Sequence, residues 1–177
     1  AGTGKTLAIL TLMHKIAQAY PGARLAIARK VRADLAQTTL VTFERDVLGF
    51  DNPICAGIQR KNRDSYRYPN GSEIVVGGMD RPGRLLGGEY HFIYPGEAVE
   101  FTLNDWEFFV MRLGRDEIVP FAMIVGDTNP SYPSHWLKQR CDAGITKLLN
   151  TTHKDNPAYW DATLNDWTER GRKYVIG

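Results

Sequence analysis

A glycine, a lysine and a threonine follow one another at Gly4, Lys5 and Thr6, directly before an apolar run that predicts a helix. Glycine lets successive backbone N–H groups curve around a phosphate, and the N-terminus of a helix adds partial positive charge. The lysine can reach the outer phosphates of a nucleotide, and the threonine hydroxyl can bind Mg²⁺. Residues 1–6 match the second half of G-x-x-x-x-G-K-[ST], which predicts a phosphate-binding loop that includes Gly2 and Thr3.

The first glycine of that pattern would precede Ala1, and a loop of this kind normally follows a strand. We therefore expect the sequence to be a fragment that begins inside its own nucleotide site, with the first strand missing. The alternative interpretation is a glycine-rich turn that caps a helix.

Glu97 places a carboxylate just after the buried strand predicted for residues 91–94. Open parallel sheets bind ligands at the carboxyl ends of their strands, where a glutamate can act as the general base that activates water. The alternative is an exposed glutamate stabilised by a helix N-terminus. Many phosphate-loop ATPases carry an aspartate immediately before this glutamate to organise Mg²⁺, whereas this chain has Gly96.

The sequence Asp127-Thr128-Asn129-Pro130 follows the next predicted strand, residues 119–125. The hydroxyl of Thr128 and the amide of Asn129 could sense the γ-phosphate and transmit its loss to neighbouring segments. The alternative is a simple Asx-Pro turn.

Phosphoryl transfer also needs an arginine to neutralise developing charge. Arg29 ends a predicted strand, and Arg81 and Arg84 lie in a glycine-rich loop. Any of these could contact phosphate, either in the same chain or from a neighbouring subunit.

Helical and strand patterns alternate along the chain, which is typical of an α/β fold. The order predicts one domain over residues 1–177. The predicted helices are 4–19, 33–48, 103–113, 134–141 and 155–171; the predicted strands are 25–28, 91–94, 119–125 and 145–151, with a hairpin formed by 66–68 and 73–76.

The composition is that of an ordinary globular protein, with 43% hydrophobic and 24% charged residues. The formal net charge of +2 neither requires nor excludes nucleic-acid binding. The two cysteines, Cys55 and Cys141, are isolated and are expected to be reduced thiols. No apolar run approaches the length of about 20 residues that a membrane helix needs.

Taken in order, these stretches resemble the ATPase domain of the terminase large subunits of tailed bacteriophages. The resemblance covers essentially the whole chain. Its motifs are residues 1–6, Ala28-Arg29-Lys30, residues 92–98 with Glu100 and Asn104-Asp105-Trp106, and residues 127–130 with Ser134-His135-Trp136.

The resemblance implies a three-layer phosphate-loop NTPase sandwich of the RecA/ASCE type, with a mostly parallel sheet. It implies a motor that uses ATP and Mg²⁺ to package double-stranded DNA into procapsids, as a homo-oligomeric ring with portal protein and small terminase subunit as partners. It places the motor in the host bacterial cytoplasm, transiently docked at the portal and without a membrane. The family's C-terminal nuclease domain is expected to be absent from this stretch.

Residue by residue, the resemblance assigns phosphate and Mg²⁺ binding to Gly4, Lys5 and Thr6 and catalysis to Glu97. It assigns coupling of hydrolysis to motion to Thr128 and Asn129. It makes Arg84 the nearest candidate for an arginine finger. The competing hypotheses are another phosphate-loop translocase, such as a helicase, and a degenerate prophage remnant that binds nucleotide without turnover.

Overall fold

A computed structural model describes residues 3–114, 116–129 and 132–176. Its centre is a five-stranded sheet in the order β2-β3-β1-β4-β5. The strands are β1 (Arg24–Arg29), β2 (Ser65–Arg67), β3 (Glu73–Gly78), β4 (Phe92–Pro95) and β5 (Met123–Ile124). Strands β3, β1, β4 and β5 are parallel, and β2 pairs with β3 in antiparallel orientation. The predicted α/β class with a mostly parallel sheet is therefore confirmed.

Helices alternate with the strands along the chain, as the spacing of apolar residues predicts. They are α1 (Lys5–Ala19), α2 (Arg32–Gln37), α3 (Thr39–Thr42), α4 (Gly83–Leu86), α5 (Leu103–Met111), α6 (Trp136–Asp142) and α7 (Glu169–Gly171). Helix α3 continues as a π-helix over Phe43–Leu48, and α7 continues as another over Arg172–Ile176. Single 3₁₀ turns cover Pro53–Cys55, Arg60–Asn62, Ala98–Glu100 and His153–Asp155.

The central strand β1 is buried on both faces because its side chains alternate between two apolar clusters. Leu25 and Ile27 pack in one cluster with Leu10 and Met13 of α1. Ala26 and Ala28 belong to the second cluster, on the opposite face, with residues of α5 such as Phe109. This two-sided burial explains why β1 is an almost continuous apolar run, and it gives the molecule three layers.

The turn between β2 and β3 has the conformation that its Asn70-Gly71 sequence predicts. Gly71 has φ 83°, which glycine adopts without strain. Asn70 donates its side-chain amide to the carbonyl of Ala17, 2.8 Å away, and the Ser72 hydroxyl donates to the same carbonyl at 2.6 Å. The hairpin therefore also satisfies the carboxyl end of α1.

Two predictions in the C-terminal third were wrong. Residues 145–151 form no strand; Ile145, Leu148 and Leu149 are exposed, without the cross-strand partners that a sheet supplies. Residues 155–171 do not form one helix. They contain a two-stranded hairpin, β6 (Trp160–Asp161) and β7 (Asp166–Trp167), in which the rings of Trp160 and Trp167 meet edge to face, 5.0 Å between centroids.

Two other predicted elements are shorter than expected. The helix predicted for residues 33–48 is interrupted at Thr38, whose φ of −124° and ψ of −83° are not helical. The strand predicted for 119–125 is reduced to β5, which lies at the edge of the described sheet and pairs with β4. Among the described residues, none of the helices is both long and apolar enough to cross a membrane.

Candidate functional site

The amino end of α1 has the features of an anion-binding helix terminus. Gly4 is the N-cap residue of the 15-residue helix, with φ 81° and no side chain of its own to cap it, and the Asn156 side chain lies beside it. The first backbone N–H groups of such a helix and its dipole suit an anion. Lys5 is half-buried and forms no hydrogen bond or ion pair with any residue that the structure describes. A phosphate group bound here would be close to the partial positive charge of the helix terminus and to the Lys5 ammonium.

Asp127 connects this helix to the ends of two strands. The Thr6 hydroxyl donates a hydrogen bond to Oδ2 of Asp127 at 2.5 Å. The backbone N–H of Glu97 donates to Oδ1 of Asp127 at 3.0 Å. The carbonyl of Asp127 accepts the N–H of Ala98 at 2.8 Å. One residue, only 6% exposed, therefore joins the start of α1, the loop after β4 and the loop after β5.

Close backbone approach at Gly126 allows this connection. A Cβ at Gly126 would lie 3.1 Å from the Cβ of Ala98 and 3.1 Å from the carbonyl oxygen of Pro95. Both contacts are tighter than ordinary van der Waals packing, so a side chain would push the end of β5 away from the end of β4. Tyr94 is buried at the same strand end, and burial, followed by the charge of Asp127, raises the pKa of its hydroxyl.

Glu97 has a left-handed backbone, with φ 52° and ψ 61°. Such a conformation is costly for a residue with a Cβ and is commonly kept where function requires it. Partial burial, and then the charge of Asp127, raise the pKa of the Glu97 carboxyl, while Arg29 and Lys5 oppose the rise. A raised pKa makes a carboxylate a stronger proton acceptor, as a general base requires.

Arg29 lies beside Glu97 and is held mainly by Glu100. Its Nη2 donates to both carboxylate oxygens of Glu100, at 3.0 and 3.2 Å. Its Nε is buried and has no hydrogen-bond partner among the residues that the structure describes. Arg29, the predicted nucleotide-binding arginine, thus has an Nε–H donor that no described residue accepts.

Gly96 leaves space for this arginine. A Cβ at Gly96 would lie 3.2 Å from Cδ of Arg29 and 3.4 Å from the Tyr94 hydroxyl. An aspartate in the position usual for phosphate-loop ATPases would therefore press on the Arg29 side chain.

Arg84 lies apart from the residues that Asp127 connects. Its guanidinium forms an ion pair with Asp64 and is 54% exposed. In the described part of the chain, no contact joins Arg84 to Thr6, Glu97 or Asp127. A role as arginine finger within its own chain would need a rearrangement.

The remaining predicted site residues that the structure describes are Thr3, Thr128 and Asn129. The Thr3 hydroxyl accepts a hydrogen bond from Thr151 at 3.3 Å. The Thr128 hydroxyl donates to the carbonyl of Asn129 at 3.1 Å, and Asn129 is exposed. Gly2 and Pro130 lie outside the described residues.

The donor atoms present at the site fit Mg²⁺ bound together with a nucleotide. Thr6 and Asp127 supply oxygen ligands, which Mg²⁺ prefers, and it is commonly held by one or two carboxylates plus substrate phosphates. Within the described residues there is no group of three or more histidine, cysteine or acidic side chains that could hold a metal alone. The protein atoms therefore suit a cation that arrives with phosphate, not a permanent protein-only metal centre.

The sequence pattern assigns no role to Asp127. Two signals favour this residue: Gly96 stands where many phosphate-loop ATPases have an aspartate, and Asp127 is the first acidic side chain after the neighbouring strand. Its contact with Thr6 spans 121 positions of sequence, so neighbouring residues do not predict it.

The chain is therefore an α/β protein in which the amino end of a helix lies at the carboxyl edge of a mostly parallel sheet. This chain is similar to the large terminase of a thermophilic bacteriophage, seen in three crystal structures. The TM-scores are 0.64, 0.65 and 0.68, at 14–15% sequence identity over 99% of this chain. The third of these structures is a complex with ADP.

The predicted resemblance to terminase large subunits is thus confirmed at the level of the fold. This chain spans 42–43% of the length of those terminase chains. No protein-family model matches the sequence, and neither does any curated protein.

Proposed function

We propose that this chain is the ATP-hydrolysing motor domain of a terminase large subunit, which couples hydrolysis to packaging of double-stranded DNA into procapsids. The observation that carries the proposal is the joining of Thr6, Glu97 and Asp127 beside the uncapped start of α1. The fold shared with the large terminase of the thermophilic phage, which binds ADP in one structure, supports it.

In this proposal, each site residue has a defined task. The first N–H groups of α1 and the Lys5 ammonium bind the β- and γ-phosphates of ATP. The Thr6 hydroxyl would bind Mg²⁺, which supplies positive charge to the phosphates when bound. Glu97 orients the attacking water and accepts its proton, and Arg29 lies close enough to respond to the charge on Glu97.

The loop after β5 gives a physical route from hydrolysis to movement. Asp127 accepts a hydrogen bond from the hydroxyl of Thr6, which belongs to the proposed phosphate loop. Thr128 and Asn129 follow Asp127 directly in the chain. Loss of the γ-phosphate would change the electrostatic environment of Asp127 and so bias the position of the 127–129 segment. We propose that Thr128 and Asn129 transmit this change toward DNA.

The partners that follow from this function are double-stranded DNA, a portal protein and a small terminase subunit. We propose that the motor works as a homo-oligomeric ring, docked transiently on a procapsid in the cytoplasm of the bacterial host. A ring is consistent with the exposed position of Arg84, from which it could complete the site of a neighbouring subunit.

The test compares the natural polypeptide that carries residues 1–177 with its Glu97→Gln variant. We expect equal nucleotide binding and a fall in phosphate release of about 10²- to 10⁴-fold, because only the proton acceptor is lost. Binding is measured by calorimetry and turnover by phosphate release with double-stranded DNA present. Equal turnover of the two proteins would contradict the role of Glu97.

Gly96 favours a second candidate function, nucleotide binding without turnover, because the usual aspartate is absent. Tight ATP binding with no phosphate release by the unmodified protein would support this candidate over the motor. A third possibility, another phosphate-loop translocase such as a helicase, would be supported by DNA unwinding that is independent of procapsids.

A further inference from the structure

Gly96 leaves the site without a carboxylate at the position just before Glu97. In a phosphate-loop ATPase, a carboxylate near the threonine of the loop organises Mg²⁺ and its water ligands. Without this carboxylate, we expect the site to bind Mg²⁺ together with the nucleotide less tightly. Another acidic side chain must therefore take its place if the protein hydrolyses ATP.

The nearby carboxylates are mostly engaged in other interactions. Glu100 forms an ion pair with Arg29 at 3.0 Å. Asp105 forms an ion pair with Lys30 at 2.6 Å and also caps α5. Glu97 has the role of proton acceptor in the proposed function. This leaves Asp127 as the candidate, since its carboxylate contacts the loop threonine directly.

Asp127 has the surroundings of a residue that can accept a cation. It is 6% exposed, and in the described part of the chain no basic side chain forms an ion pair with it. Burial of a carboxylate without a counter-ion is unfavourable. The hydrogen bonds from Thr6 and from the N–H of Glu97 use two of its four or so lone-pair positions, and the Tyr94 hydroxyl also interacts with it.

The hydrogen bond to Asp127 also orients the Thr6 hydroxyl. The hydroxyl donates its hydrogen to Asp127, and the Tyr94 hydroxyl also contacts Thr6, so one oxygen lone pair is left to bind a cation. A partner that accepts from a metal ligand in this way fixes the orientation of the ligand and raises its affinity for the metal.

We propose that Asp127, from the strand next to β4, replaces the carboxylate missing at Gly96 and organises Mg²⁺ at the nucleotide site together with Thr6. This inference rests on the proposed nucleotide-binding function. It goes beyond that function because it moves the metal-organising carboxylate from the β4 loop to the β5 loop, next to Thr128 and Asn129. The segment proposed to couple hydrolysis to movement would then be in direct contact with the cation site.

The test measures ADP affinity by isothermal titration calorimetry, once with Mg²⁺ and once with EDTA. Asp127→Asn is nearly isosteric, and its amide oxygen can still accept the N–H of Glu97. For the unmodified protein we expect Mg²⁺ to tighten ADP binding. For Asp127→Asn we expect the affinity in EDTA to be kept and the gain from Mg²⁺ to fall about 10- to 100-fold.

Asp80→Asn is the matched control. Asp80 follows strand β3 of the same sheet and likewise accepts a backbone N–H, from Arg32 at 2.9 Å, but it is exposed and has no described contact with Thr6. The control removes the same charge from a nearby loop and should leave the Mg²⁺ effect unchanged. Thermal unfolding of each variant shows that the proteins compared are folded.

Thr6→Val tests the other end of the same hydrogen bond, and it serves if Asp127→Asn does not fold. It should lose the Mg²⁺ effect, and adding Asp127→Asn should cause little further loss, because the two residues act together. A full Mg²⁺ effect in either folded single variant would overturn the proposal. Absence of a Mg²⁺ effect in the unmodified protein would also overturn it, while absence of ADP binding altogether would reject the proposed function as well.

Discussion

At the scale of single residues, the left-handed backbone of Glu97 places strain at the candidate catalytic position. Its φ of 52° is matched only by that of Asn165 among the non-glycine residues that the structure describes. Asparagine tolerates this region more readily than glutamate does. The N–H of Glu97 is held by Asp127 and that of Ala98 by the Asp127 carbonyl, which compensates for part of the strain.

A comparison of Glu97→Gly with Glu97→Ala measures that strain. Both variants lack the carboxylate, but only glycine adopts this backbone without a Cβ penalty. We expect the glycine variant to be more stable to urea unfolding than the alanine variant by about 1 kcal/mol, with hydrolysis lost in both. Equal stabilities would show that the left-handed conformation costs this protein little.

At the scale of elements, α5 positions the edge of the site through its first turn. The Thr102 hydroxyl accepts the N–H of Asp105 at 3.2 Å, and Asp105 accepts the N–H of Thr102 at 2.7 Å, which forms a capping box. Asp105 also binds Lys30, directly after β1, so the cap ties α5 to the carboxyl end of the central strand.

The cap makes a prediction about stability that is separate from activity. Thr102→Ala should lower the free energy of unfolding by about 1 kcal/mol, because the N–H groups at the start of α5 lose their acceptor. Thr102→Ser keeps the hydroxyl and should be close to the unmodified protein. Urea unfolding monitored by circular dichroism gives both values, and a larger loss in the serine variant would contradict the capping argument.

At the scale of the whole molecule, the position of Arg84 determines how an assembly would work. It lies after β3, two strands away from β4, and pairs with Asp64. In the proposed ring, its exposed guanidinium would act on the nucleotide of a neighbouring subunit.

Mixing two inactive variants tests this arrangement. Arg84→Ala and Glu97→Gln should each have low ATP turnover. In the proposed ring, each interface joins the Arg84 position of one subunit to the Glu97 position of the next. In a random equal mixture, half of the subunits keep Arg84 and the other half keep Glu97, so about a quarter of the interfaces have both residues. We expect phosphate release to recover to about that fraction of the unmodified rate, whereas no recovery would contradict action between subunits.

Local chemistry determined much of this molecule. The glycine and threonine of the loop, the periodicity of α1, the alternating burial of β1 and the Asn70-Gly71 turn could all be predicted from neighbouring residues. The position of Glu97 and of Asp127 just after strands also follows from local pattern, because each comes directly after an apolar run.

Tertiary contacts determined the rest. Trp160 and Trp167 form a hairpin because their rings pack across the strands, although the same residues also fit a helical pattern. Asp127 meets Thr6 only when β5 lies beside β4, where Gly126 permits the close approach. The sequence by itself predicted a phosphate loop and a carboxylate after a strand. Which carboxylate faces the loop depended on strand order, a property of contacts between residues far apart in the chain.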